Sequence, residues 1–147
     1  MKKKLKALKK PVRVTGKPTP LRAATKPVHD SSEAQRMALA AAAAALDKKA
    51  MGVEIIDVAG KVDYADYLVL MTGHADRHVA AIADAVDEAL GKQGWHAISI
   101  EGLPRGQWVL IDFVDIVVHV FLAETRSLYD LDGLWMDAKR VRVPGQV

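Results

Sequence analysis

The chain has no cysteine, which excludes disulfide staples and thiolate metal sites. Aromatic residues are scarce, with three Trp, three Tyr and two Phe in 147 positions. No apolar run approaches the ~20 residues of a membrane-spanning helix, and the basic N-terminus lacks the apolar h-region of a secretory signal. With no cysteine to suggest an oxidising compartment, the cytoplasm is the expected location. Acidic residues are missing altogether before Asp30, whereas the first 29 positions hold ten Lys and Arg.

The overall charge of +3 therefore hides two unlike parts. Residues 30–147 carry 11 basic and 18 acidic side chains, a net of −7. Such a domain would not by itself seek a phosphate backbone. Residues 1–29, with Pro11, Pro18, Pro20 and Pro27 and no helix or strand period, read as a disordered basic arm. The arm suits an electrostatic contact with nucleic acid, ribosomal RNA included, and equally suits a solubilising extension. The remaining 118 residues are enough for one domain with a real core.

Within that domain, Ser32 with Gln35 has capping-box spacing and predicts a helix to about Lys49. Seven alanines between Ala38 and Ala45 give it high propensity and a slim packing surface, and Gly52 is the expected stop. Strands follow at Val53–Val58 and Ala65–Met71. The second contains Tyr67-Leu68-Val69-Leu70-Met71, apolar without alternation, as in a central strand covered on both faces. A helix over 75–90 places Val79, Ile82, Val86 and Leu90 on one side, with Gly91 as its left-handed terminus. Residues 95–101 read as a third strand and 102–106 as a loop. A short helical segment over 125–135 and an extended end over 139–144 complete the pattern. This order predicts a compact single α/β domain, a mixed sheet of about five strands with flanking helices.

The most informative stretch is Trp108–Leu122, two Val- and Ile-rich runs around a break carrying Asp112 and Asp115. With Phe113 and Val114 as the loop, Asp112 faces Asp115, Leu110 faces Val117 and Trp108 faces His119. One face of this hairpin, taken as an edge of the sheet, is aliphatic: Val109, Ile111, Ile116, Val118, Val120 and Leu122. The other mixes Trp108, Leu110, Asp112, Asp115, Val117, His119 and Phe121, which suits a partner surface or a covered polar site.

Catalytic motifs are weak. His74 and His78 have the spacing of paired zinc ligands, but the general-base glutamate of H-E-x-x-H is absent. Thr72-Gly73 before a helix lacks the glycines and lysine of a phosphate loop, and reads as a strand-to-helix turn using glycine for backbone freedom. Asp112 and Asp115 could pair around a divalent ion; loop N–H groups accepted by the carboxylates are the plainer account. No nucleophile elbow is present. Five of the eight aromatics fall in the last 40 positions, and aromatics are favoured anchors of protein interfaces.

At this point residues from about 36 to 138 resemble the ribosomal silencing factor family, RsfS or Iojap-related. The resemblance rests on Asp57-Val58, Asp66-Tyr67, Thr72-Gly73, Asp76-Arg77-His78-Val79, Ile82-Ala83-Asp84 and Glu101-Gly102. It is densest at Trp108–Asp112, Asp115–Phe121, Tyr129-Asp130-Leu131 and Leu134-Trp135. It implies a nucleotidyltransferase-like fold without the catalytic carboxylate set, no cofactor and no enzymatic activity. The implied partner is large-subunit ribosomal protein fourteen, bound where the small subunit docks, so that subunit joining is blocked and translation falls under nutrient limitation. The implied contact residues are Trp108, Leu110, Asp112, His119, Phe121, Tyr129 and Trp135. A homodimer through an edge strand is compatible with the resemblance. Two alternatives stand beside it: a metal-dependent nucleotidyltransferase using Asp112 and Asp115, and a nucleic-acid-binding protein acting through the arm. The family usually has glycine where this chain has Val114, and valine disfavours positive φ, so the turn geometry stays open.

Overall fold

The unalternating run at 67–71 does form a strand buried along its whole length. Around it the computed structural model, which describes residues 31–102 and 106–146, builds one mixed sheet. The basic arm and residues 103–105 of the expected loop lie outside the described residues. In chain order the elements are α1 (Ser31–Asp47), β1 (Met51–Asp57), β2 (Tyr67–Gly73), α2 (Asp76–Lys92), β3 (Ser99–Glu101) and β4 (Trp108–Asp112). After these come β5 (Ile116–Leu122), α3 (Ala123–Tyr129), α4 (Leu131–Leu134) and β6 (Lys139–Val141). The strand order is β3-β4-β5-β2-β1-β6. Among the named strands of the described residues, β2 and β5 are the parallel pair and the other pairings are antiparallel.

The α/β expectation holds, with six strands rather than about five because the extended end pairs with β1 as β6. The β4–β5 hairpin is not at an edge. It lies between β3 and β2, and the edges are the three-residue strands β3 and β6.

Helices α1 and α2 share one core with one sheet face. Ala34, Ala38, Ala41, Ala42 and Ala45 are buried, and their 4-3-1-3 spacing traces a single helical stripe without bulk. Val79, Ile82, Ala83, Val86 and Leu90 form the buried stripe of α2. Together they cover Ile55, Val69, Met71, Val109, Ile111, Ile116, Val118 and Val120, so the aliphatic hairpin face is core as expected.

Both expected helix stops are displaced. Lys49, at φ 62, ends α1 while Ala50 N–H returns to Ala45 O at 3.0 Å. Gly52 instead adopts φ 53 where the β1–β2 register shifts, a bulge. Gly91 lies inside α2, and Gly94, at φ 91, is the left-handed residue beyond it. Gly73 serves close approach rather than backbone freedom. A Cβ there would come 2.9 Å from Val79 Cγ2 and 3.0 Å from the Val79 nitrogen.

The hairpin register is two residues from the sequence expectation. Trp108 faces Phe121, Leu110 faces His119 and Asp112 faces Val117. Phe113 N–H bonds to Ile116 O at 3.0 Å, and Asp115 N–H closes on Phe113 O at 3.0 Å across Val114 at φ 79. That i to i+2 closure at positive φ is the rarer, strained form of γ-turn. An even slip leaves every side chain on its face, whereas a slip of one would have inverted them. Asp112 and Asp115 therefore do not oppose each other. The Asp112 carboxylate accepts Val114 N–H at 2.8 Å, the loop bond expected from sequence.

The candidate contact face on α3 and α4

The mixed face of the hairpin is covered rather than open. Trp108, His119 and Phe121 are almost fully buried, and Leu110 nearly so. Their rings form a cluster because Trp108 and Phe121 are direct cross-strand neighbours, with centroids 5.1 Å apart. His119 lies 5.9 Å from Phe121 in near-parallel stacking. From α3, Tyr129 brings its ring to 4.9 Å from Trp108.

The polar atoms of this cluster fix its protonation. Trp108 Nε1–H can only donate, and it does so to His119 Nδ1 at 3.1 Å. The imidazole is thus neutral with its proton on Nε2. Burial, with the nearby Arg126 charge as second cause, lowers the His119 pKa from 6.5 to about 3. A buried histidine in that state contributes packing and acceptor geometry, not proton transfer near neutrality.

Above the cluster the chain turns sharply. Asp130 adopts φ 43 between α3 and α4, and its Oδ1 accepts Gly133 N–H at 3.0 Å to cap α4. Arg140 closes the other end, donating from Nη1 to Trp135 O at 2.6 Å and Ala138 O at 3.1 Å, and from Nε to Glu54 Oε1 at 2.9 Å. Arg126 ties α3 to the sheet through Gly52 O and Thr72 Oγ1 and to α4 through Asp132. The expected single segment over 125–135 is thus two short helices, broken at Asp130.

This unit exposes three large apolar side chains. Leu128 is 73% exposed, Leu134 61% and Met136 72%. Glu124, Asp130 and Asp137 are also exposed there. Of the seven residues singled out from sequence, Tyr129, Trp135 and Asp112 are partly exposed, and Trp108, Leu110, His119 and Phe121 are buried beneath. Asp112 sits at the hairpin turn, apart from the ring cluster in sequence register. Leu128, Met136 and Arg126 were not singled out from sequence. The first two fall at positions a helix period would assign to either side, and an arginine on a short helix reads as surface.

His74 and His78 form a local clip. His74 N–H donates to His78 Nδ1 at 2.8 Å, and His78 Nε2 bonds Lys48 O at 2.7 Å. Both ring nitrogens of His78 are engaged, and among the described residues no group of three or more His, Cys, Asp or Glu could hold a metal ion. No described helix is long and apolar enough to cross a membrane.

Residues 31–147 match the family model described as "Ribosomal silencing factor during starvation". The chain is similar to the ribosomal silencing factor RsfS of Bacillus subtilis, 40% identical over 98 residues, 67% of this chain and 83% of that one. It is 38% identical over 89 residues to RsfS of Zymomonas mobilis, 60% of this chain and 67% of that one. Its fold resembles a crystal structure from Chromobacterium violaceum, with a TM-score of 0.68 and 30% identity over 75% of this chain and 91% of that one. The chain belongs to the ribosomal silencing factor (RsfS) family.

Proposed function

We propose that the protein represses translation by binding the large ribosomal subunit and blocking its association with the small one, lowering protein synthesis under nutrient limitation. The observation that carries this reading is the family match over residues 31–147. In it, large-subunit ribosomal protein fourteen is the partner, and α3–α4 is the contact. Leu128, Leu134 and Met136 supply exposed apolar area, with Tyr129 and Trp135 beside them in sequence. The net charge of −7 on residues 30–147 suits a basic ribosomal protein and steers encounter with it. Asp112 contributes at the hairpin turn. Trp108, Leu110, His119 and Phe121 act from below, as the seat of Tyr129. In the same reading the basic arm touches ribosomal RNA beside the main contact, and a homodimer forms through an edge strand.

The test is cosedimentation of the full chain with separated subunits, together with a subunit-joining assay. The protein should pellet with large subunits alone and inhibit joining. Leu134→Asp, at an exposed position, should leave folding intact. Losing a central apolar anchor costs ~2 kcal/mol, about thirtyfold in affinity. Failure to bind large subunits, or full joining inhibition by Leu134→Asp, would refute the reading.

A further inference from the structure

We infer that Arg126 is a positioning residue for the partner-contact segment: one guanidinium holds α3 and α4 on the sheet in the orientation that binding requires. This rests on the reading of α3–α4 as the contact. Helices of seven and four residues are far below the length at which a helix is stable by itself. Their placement must therefore come from tertiary bonds, and Arg126 supplies an unusual concentration of them.

Nε and Nη2 grip the two oxygens of Asp132 at 3.0 and 2.9 Å, a bidentate fork that fixes α4 against α3. Nη1 points the other way, donating to Gly52 O at 2.6 Å and Thr72 Oγ1 at 2.9 Å. One planar group thus joins α3, α4, the β1 bulge and the end of β2. The arginine side chain is 14% exposed and Asp132 33%, so this is no solvated surface pair, for which the contribution is usually small.

The sheet is shaped to receive it. Gly52 is at φ +53, and a Cβ there would come 3.1 Å from Nη1. The bulge thus presents a carbonyl at a place where a larger residue would crowd the guanidinium. Lysine cannot replace the group, because an ammonium has neither the planar fork nor the span to hold Asp132 and the bulge together.

Full-length Arg126→Lys and Arg126→Ala are compared with wild type by amide hydrogen exchange and by affinity for purified large subunits. The expected result is exchange at least ~tenfold faster over 123–136, with β2 and β5 unchanged. Affinity should fall at least ~tenfold, because the binding-competent fraction scales the apparent constant. A purely structural ion pair would instead raise exchange across sheet and segment alike, and that outcome overturns the inference. So does unchanged exchange over 123–136, or faster exchange there with wild-type affinity. Wild-type protein that ignores large subunits, or Leu134→Asp that binds them normally, removes the functional reading and the inference with it. Loss of binding by Leu134→Asp alone, with Arg126→Lys normal, removes the inference and leaves the reading standing.

Discussion

His119 should make the fold acid-sensitive in a range where its carboxylates are still ionised. The imidazole is neutral in the fold, with its pKa lowered from 6.5 to about 3 by burial and then by the Arg126 charge. In the unfolded chain it titrates near 6.5. Between those values the unfolded state binds the proton and the native state does not, so stability rises with pH. The contribution is fully present above about pH 7 and is lost progressively from about pH 6.5 down to about 3. With one proton at 1.36 kcal/mol per unit, the loss between pH 7 and pH 5 is about 2 kcal/mol. The geometry gives the same sign: protonating Nδ1 would point a second donor at Trp108 Nε1–H, which now donates to it at 3.1 Å. The assay is urea unfolding at a series of pH values from 5 to 8, for wild type and His119→Gln, whose side-chain oxygen can still accept from Trp108. The substitution lowers stability overall; the quantity to compare is the slope. Wild type should be steeper by about one proton between pH 5 and 6.5. Parallel curves for the two proteins would refute the burial argument.

Relieving the hairpin turn should stabilise the protein. Val114, β-branched, is held at φ 79, a strain of roughly 1–3 kcal/mol; glycine removes it but costs about 0.4–1 kcal/mol through the freer unfolded chain. Val114→Gly should raise the urea midpoint by the equivalent of roughly 0–2.6 kcal/mol with unchanged m, and a lower midpoint would contradict the γ-turn. Asp132 is held below the usual carboxylate range, mainly by the hydrogen bonds from Arg126. Its stabilisation is therefore present above the unfolded carboxylate pKa near 4 and lost as pH falls through the lower folded value. Acid titration of Asp132→Asn should be flatter than wild type in that range, and an equal slope would mean the fork does not form in solution.

How much of this was legible depended on the range of the forces involved. The aliphatic face of the hairpin followed from alternation alone, and it survived a register error because the error was even. The register itself was hidden by Val114. A tight turn at positive φ centred on a β-branched residue contradicts local preference, so Phe113 and Val114 read more easily as the loop. The buried run at 67–71 announced a central strand. The helix ends did not, because Lys49 takes the left-handed position that Gly52 was expected to fill, and Gly52 is drawn instead into the bulge that Arg126 binds. That bond spans 74 positions, and no local pattern encodes it. For the same reason the mixed face could be recognised as special from its rings and charges, while its cover could not.

That cover changes what the mixed face is for. Trp108, His119 and Phe121 are enclosed, and Trp108 satisfies its one donor internally, so neither its ring nor its N–H is presented to a partner. What the cluster does is seat Tyr129 at 4.9 Å, on the side of α3 opposite in role to the Arg126 fork. Two tethers of different chemistry, one aromatic and one charge-assisted, converge on helices too short to hold themselves. Under the proposed function, a substitution in either tether weakens binding by releasing the segment, and Trp108→Ala would lose affinity whether or not the tryptophan ever touches the ribosome. Contact and support separate only at positions free of both tethers. Leu134→Asp changes the outward surface, Arg126→Lys changes the mount, and the exchange rates over 123–136 distinguish which has been altered.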